Sequence, residues 1–359
     1  MPRKLRLEFA SAIYHVTNRG DRREAVFRDD EDRSRFVATL AEACAKTGWQ
    51  VHAYCLLPDH FHCVIETPQP NLVAGMKWWL ATYTNRFNRR HRQNGHVFAG
   101  RYKALPLAPE GDFFRLACAH VHLNPARTPA LGPDRRLAEF SWSSFPFYLK
   151  SPADRPTWLN VERLLAAEGL PGDSPASRRA FQQRMEALRR AEPPADWARL
   201  RRGWFFGSDA FRANLLARMA AGAGLVRHGA MPVEAAEHSG ERIVSEELTR
   251  LGWSAAELAR QPKTAAAKVE IVRRLRRETT LPLRWIAGRL GLGSVNTLRN
   301  ALLVRNKPAT EISRSKAAKL ETVPSAGSLP ERPQPAQPAS APAPAPASVE
   351  PDPFSVAWD

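Results

Sequence analysis

Cysteine is scarce in this chain of 359 residues: Cys44, Cys55, Cys63 and Cys118 are its only four, and none lie in C-x-x-C spacing. That scarcity excludes a disulfide scaffold, argues against structural zinc, and fits reduced thiols in a cytoplasmic setting. No apolar run is long enough to span a membrane. The basic start "MPRKLRLEF" lacks the apolar core of a signal peptide. Acidic residues are absent from Tyr83 to Pro109. Tyrosine is also rare, with five in the whole chain.

Positive charge fills that acid-free stretch. The chain carries 53 Lys and Arg against 36 Asp and Glu, a formal net charge of +17. Such a balance makes nucleic acid the first partner to consider. "RFNRRHRQNGHVFAGRYK" supplies Arg86, Arg89, Arg90, Arg92, Arg101 and Lys103. Cations segregated in this way form a phosphate-tracking surface, giving affinity without sequence reading.

Residues 1–150 read as one compact α+β unit. "AIYHVTNR", "WQVHAYCLLP" and "HFHCVIET" alternate apolar residues as strands do, the last two separated by the Pro58-Asp59 turn. "DEDRSRFVATLAEACAKTG", "NLVAGMKWWLATYTNRFNRR" and "GDFFRLACAHVHLN" have helical spacing, and "HVFAGRYKALPLA" reads as extended. The arrangement predicts an antiparallel sheet with helices on one face. Residues 151–260 form a helical connector in this reading. Residues 261–305 contain "LRWIAGRL", a Gly291-Leu292-Gly293 turn and a last helix from Ser294, the pattern of a helix-turn-helix. Its opening residues Ser294, Asn296, Thr297 and Arg299 are the candidate base-edge readers, with duplex DNA as the implied partner. Trp285, Ile286, Leu290 and Leu298 are expected in its core. Residues 306–359 are a Pro/Ala-rich tail that cannot bury a core and is expected to be disordered.

Two histidine pairs stand out. Residues two apart on a strand share a face, so His60 and His62 of "DHFHCVIE" can chelate one divalent cation. On a helix, residues two apart point about 200° apart. His120 and His122 of "DFFRLACAHVHLN" therefore cannot hold one ion together. His120 and Asn124, four apart, share the stripe that packs toward the sheet, and His122 is expected on the opposite, solvent- or DNA-facing side. Pro125 disfavours helical geometry at Asn124 and is expected to end the helix there.

"YHVTNRG", "AYCLLPDHFHCVIETP", "FNRRHRQNGHVFAGRYKA", "HLNPAR" and "WSSF" follow one another as they do in REP-associated tyrosine transposases. The segment from Tyr14 to Tyr148 resembles these members of the HUH single-tyrosine superfamily. The resemblance implies a ferredoxin-like HUH fold acting on single-stranded DNA beside palindromic hairpins, in the bacterial cytoplasm and associated with the nucleoid. No feature points to an obligate protein partner. The resemblance also implies that His60, His62 and Asn124 hold Mg²⁺ or Mn²⁺. A tyrosine would attack the scissile phosphate and conserve its bond energy in a covalent protein–DNA link, making this a DNA transposase or single-strand endonuclease.

This chain departs from the pattern where the nucleophile belongs: the position is His120. Three readings stay open. Cleavage is lost and hairpin binding kept, as in a domesticated transposase or regulator. Another tyrosine substitutes, Tyr83 being the best placed beside the basic run. Or His120 acts itself, as nucleophile or as general base for water, the latter giving hydrolysis without rejoining.

Overall fold

The computed structural model describes residues 7–192, 194–221 and 232–304. The expected disordered tail lies outside the described residues.

Strands β1 (Ala12–Arg19), β2 (Gln50–Leu57), β3 (His60–Thr67) and β4 (Lys103–Leu107) form one antiparallel sheet in the order β2-β3-β1-β4. The β2–β3 hairpin turns at Pro58 and Asp59. In the register, Thr17 lies opposite both His62 of β3 and Lys103 of β4, and Arg19 lies opposite His60.

Helix α1 (Asp30–Thr47) is framed by local chemistry. Asp29 accepts a hydrogen bond from the backbone N–H of Asp32 at 3.0 Å, three acidic residues occupy the first turn, and Gly48 closes the helix in the left-handed conformation. Helix α2 (Leu72–Arg90) carries Arg89 and Arg90 in its last turn, where they complement the helix dipole. Both helices pack on the face that presents Phe61. Its ring lies 5.0 Å from that of Phe36 on α1 and 5.2 Å from that of Trp79 on α2. Burying each such ring contributes on the order of 2 kcal/mol. Gly75 lets α2 approach Trp49, because a Cβ there would lie 2.1 Å from the indole Cζ2.

The expected single helical layer accounts for α1 and α2. A second layer covers the other face, beginning with α3 (Phe113–Leu123). The His120 ring of α3 lies 5.7 Å from that of His62, and Phe114 lies edge-on to His52 at 5.0 Å. Over α3 pack α4 (Phe145–Tyr148), α5 (Glu162–Ala167), α6 (Pro175–Arg190) and α7 (Trp197–Arg202). With both faces covered, β1 and β3 are buried almost throughout, their polar His15, Thr17, Asn18, His62 and Thr67 included. The first core therefore runs from Ala12 to Phe206 and takes in much of the connector. Helix α8 (Asp209–Ala220) follows.

Helices α9 (Pro232–Leu251), α10 (Ala255–Arg260), α11 (Ala266–Glu278), α12 (Leu283–Arg289) and α13 (Val295–Val304) build a second core. Ile286, Leu290 and Leu298 are buried in it and Trp285 packs against it, as the sequence predicts. Gly291, at φ 63°, makes the turn between α12 and α13. Lys46 at the end of α1 donates to the carbonyls of Arg276 and, at 2.7 Å, Arg277. A cation thus satisfies the orphan carbonyls at the C-terminus of α11.

Candidate metal and nucleic-acid site

Four imidazoles gather where β1, β3 and α3 meet. Strand alternation puts His15 of β1 and His62 of β3 on the same face. Their rings stack with centroids 5.1 Å apart, and His15 Nε2 lies 2.9 Å from His62 Nδ1. His60 stands at the start of β3, its ring 5.2 Å from that of His62. His120 projects from α3 between them, 5.8 Å from His15 and 5.7 Å from His62. The structure thus brings His60, His120 and His15 each beside His62.

The hydrogen bonds decide which nitrogens remain for a ligand. His60 Nδ1–H donates to Asp59 Oδ1 at 2.7 Å, so Nε2 is the nitrogen that this bond does not occupy. For His62 the bond to His15 occupies Nδ1, so Nε2 is the nitrogen that would face a ligand. That requires His62 Nδ1–H to donate to His15 Nε2. Each candidate ligand is thus oriented by a second group, Asp59 for one and His15 for the other, as metal-ligating histidines usually are.

Burial keeps His15 and His62 neutral. Desolvation, with Lys103 adding to it, holds His15 down to about 3. His62 lies well below the ordinary histidine range, first through burial and then through the neighbouring His15, His60, His120 and Lys103. A neutral imidazole is the form that ligates a cation. Asn124 is 9% exposed and follows His120 by four residues, so it continues the same helical stripe. Helix α3 ends at Leu123 with Asn124 as its cap, as expected, although Asn124 keeps helical angles (φ −57°, ψ −41°) and the chain runs on into a 3₁₀ turn over Asn124–Arg127. A preference of residues before proline is overridden here by the packing of α3 on the sheet. Two imidazole nitrogens and an amide oxygen suit a divalent cation accepting mixed donors. Among the described residues, no three His, Cys, Asp or Glu side chains are arranged to hold one.

His122 corrects an expectation. It is fully buried rather than facing solvent, its Nε2 2.8 Å from Ser144 Oγ and its ring among those of Phe145, Tyr148 and Phe181. The second helical layer, invisible in the periodicity of α3 alone, covers that side.

Tyr83 is equally remote from the site. It lies on α2, across the sheet, with its hydroxyl donating to the Val26 carbonyl at 2.5 Å and its ring packed on Phe36. Burial raises its pKa far above the usual phenol value. The other four tyrosines, Tyr14, Tyr54, Tyr102 and Tyr148, are buried too, none more than 8% exposed. Tyr14 and Tyr148 donate to the carbonyls of Leu7 and His52.

The basic run divides in three. Arg86 pairs with Glu42 at 2.7 Å, and Arg90 with Asp29 and Asp32, both at 2.7 Å. The acids missing from the local sequence are supplied by α1 and the residue before it, so these two arginines brace α2 instead of facing phosphates. Arg89, Arg92 and Arg101 are exposed. Lys103 stands on the imidazole face, where its charge acts on both His15 and His62.

A residue from the connector completes the wall. Trp197 of α7 lies edge-on to His120 at 5.3 Å, donates to the Leu116 carbonyl at 3.2 Å, and carries the Arg127 guanidinium 3.7 Å above its ring. His15, Asp59, Trp197 and Arg127 escaped the sequence reading. His15 sits inside the quoted "YHVTNRG", but only the β1–β3 register reveals its neighbour.

In the α12–α13 pair, Asn296 and Arg299 are exposed. Ser294 caps α13, accepting from the Thr297 N–H at 3.1 Å, and its Oγ lies 3.0 Å from Thr297 Oγ1. Those two hydroxyls stabilise the helix start.

Residues 8–109 match the family model of the IS200-like transposases. That segment is similar to an IS200-like transposase domain. It holds β1 to β4, and therefore His15, His60, His62 and Lys103, while α3 follows directly after it. Among solved structures, the chain is similar to a REP-associated tyrosine transposase bound to a REP hairpin, at 12% identity and a TM-score of 0.37. The match covers 45% of this chain and 92% of that one. No curated protein matches the chain.

Proposed function

We propose that this REP-associated-transposase-like chain binds single-stranded hairpin DNA at the imidazole face of its transposase domain, and that tyrosine-dependent strand transfer is absent. The observation that carries this reading is the state of the tyrosines. All five are buried, and the helix position facing His62 is occupied by His120. His60, His62 and Asn124 would hold Mg²⁺ or Mn²⁺, which would orient and polarise a scissile phosphate. Lys103 and Arg127 offer positive charge beside the imidazoles, while Arg89, Arg92 and Arg101 extend the track for the backbone. Asn296 and Arg299 are the residues through which α13 would read duplex DNA.

A second reading is favoured by the placement of His120. A buried imidazole beside a metal ligand suits a general base for water. Water would lose its proton to His120 and attack phosphorus, breaking the bond to the 3′ oxygen and leaving a 5′-phosphate and a 3′-hydroxyl. No bond energy is kept, so the strand is nicked and not rejoined.

The test is to incubate the protein with labelled hairpin DNA and Mn²⁺ and separate the products on denaturing gels before and after phenol extraction. Binding without a covalent adduct is expected. Free nicks without adduct select the hydrolytic reading, and a covalent adduct would overturn the loss of strand transfer.

A further inference from the structure

On the face of the sheet opposite the imidazoles, a cleft of about 300 Å³ opens between α2 and the segment leading into β4. Asn18 forms its buried floor, Val97 and Phe98 one wall, and Ala81, Thr84 and Asn85 of α2 the other. Asn18 is 6% exposed. Its Oδ1 accepts the Arg19 backbone N–H at 2.9 Å, which fixes the amide's orientation. The Nδ2 is buried with no hydrogen-bond partner. A buried donor left unpaired is costly, so the amide is set to meet an acceptor that enters the cleft.

The lining defines that acceptor. No Asp, Glu, Lys or Arg lines the cleft, and its one imidazole is that of His96 on the exposed rim, so a free phosphate or carboxylate would lack a permanently charged partner there. The walls are apolar, with an aromatic ring at Phe98 and neutral polar groups at Thr84 and Asn85. The volume is at the low end of the range of about 300–1,000 Å³ for small-ligand pockets. A neutral, planar heterocycle bearing a carbonyl matches these features. The cleft also sits at the same end of the sheet as the metal-site candidates. Arg19, next to Asn18, is paired in register with His60. Beyond β4 the edge is continued by Phe98 and Ala99, whose backbone bonds to Gly20 and Arg19, and Arg101 is exposed just past the cleft.

We propose that this cleft receives one nucleobase from a single strand whose backbone rounds the sheet edge continued by Phe98 and Ala99, past Arg101, the Asn18 amide donating to a base carbonyl. The proposal rests on the single-stranded DNA reading above and adds a base-binding subsite on the far face of the sheet. Phosphates stay outside, among the arginines, and the base enters alone. Thymine fits the donor best among simple probes, since its carbonyls accept and its methyl group meets the apolar wall.

The experiment compares an oligothymidylate with an abasic strand of equal length, measuring affinity for the full chain by fluorescence anisotropy. Asn18→Asp keeps the acceptor for the Arg19 N–H and removes the donor. Ala81→Phe fills the cleft from its exposed rim without touching the core. Each is expected to weaken oligothymidylate binding by about tenfold, the scale of one lost base contact, and to leave abasic binding unchanged. If Asn18→Asp fails to fold, by thermal melting, Ala81→Phe decides alone. Equal loss on both strands, or no loss on either, overturns the subsite and leaves the DNA reading standing. Failure of the unmodified protein to bind either strand overturns both.

Discussion

His15 Nε2 and His62 Nδ1 lie 2.9 Å apart with their rings stacked, so one strand sets the tautomer of an imidazole on the next. Replacing His15 by Phe keeps a ring of similar shape and removes the acceptor. Mn²⁺ affinity, measured by calorimetry or by electron paramagnetic resonance of free Mn²⁺, is expected to fall about ten- to a hundredfold, the usual cost of losing a ligand's orienting partner. Binding of single-stranded DNA in the presence of chelator should be unchanged. A Mn²⁺ affinity equal to that of the parent protein would remove His15 from the site.

The missing nucleophile can be restored. His120→Tyr places a phenol on the face of α3 that meets His62. A covalent protein–DNA adduct, seen after phenol extraction with hairpin DNA and Mn²⁺, is expected in this variant and absent from the parent. No adduct in the variant would show that more than the nucleophile has been lost.

Tyr83→Phe should leave every DNA readout untouched. Its effect belongs to folding: the hydroxyl donates to the Val26 carbonyl inside the first core. Losing that bond costs about 1 kcal/mol, measurable as a lower urea midpoint. A change in DNA cleavage or adduct formation would contradict the placement of Tyr83 across the sheet.

His122 makes stability depend on acid. Burial lowers it to about 3 from an ordinary 6.5. A group with a depressed histidine pKa is neutral when folded and takes up a proton when unfolded. Its contribution is fully present above about pH 6.5 and is lost progressively as pH falls toward 3, by up to about 1.4 kcal/mol per pH unit. His122→Gln retains a polar partner for Ser144 and cannot titrate. Urea midpoints at pH 7 and pH 4.5 should differ less for the variant than for the parent, and equal differences would refute the assignment.

Arg86 and Arg90 separate from the exposed arginines in salt dependence. Arg89→Ala, Arg92→Ala and Arg101→Ala should each reduce the dependence of DNA affinity on salt, a phosphate contact contributing about 0.7 to the logarithmic slope for single strands. Arg86→Ala should leave the slope alone and lower the thermal midpoint, because Glu42 and Thr39 lose their partner.

The sequence made the sheet legible for a physical reason. "AIYHVTNR" and "HFHCVIET" coincide with β1 and β3, because a strand's apolar content and bounding turns are local properties. The pairing of His60 with His62 is also local, needing only the two-residue repeat of a strand. What required the structure was contact between distant segments. His15 meets His62 across a register, Arg90 meets Asp29 and Asp32 across a helix pair, and Trp197 reaches His120 from the connector. His122 shows the limit most plainly: a helix wheel marks opposite sides but does not reveal that both are covered. The outward placement read from α3 fails because α4 and α6 bury the second side.

Strand β1 carries His15 and Thr17 toward the imidazoles and Asn18 toward the opposite cleft. The two faces therefore share one short peptide and alternate along it. Substitutions in β1 can alter either side separately, whereas deletion of a single residue before Asn18 would exchange the sides and disable both at once. Lineages of such chains should accordingly vary in residue identity along this strand yet keep its length, with gained or lost residues confined to the turns that flank it.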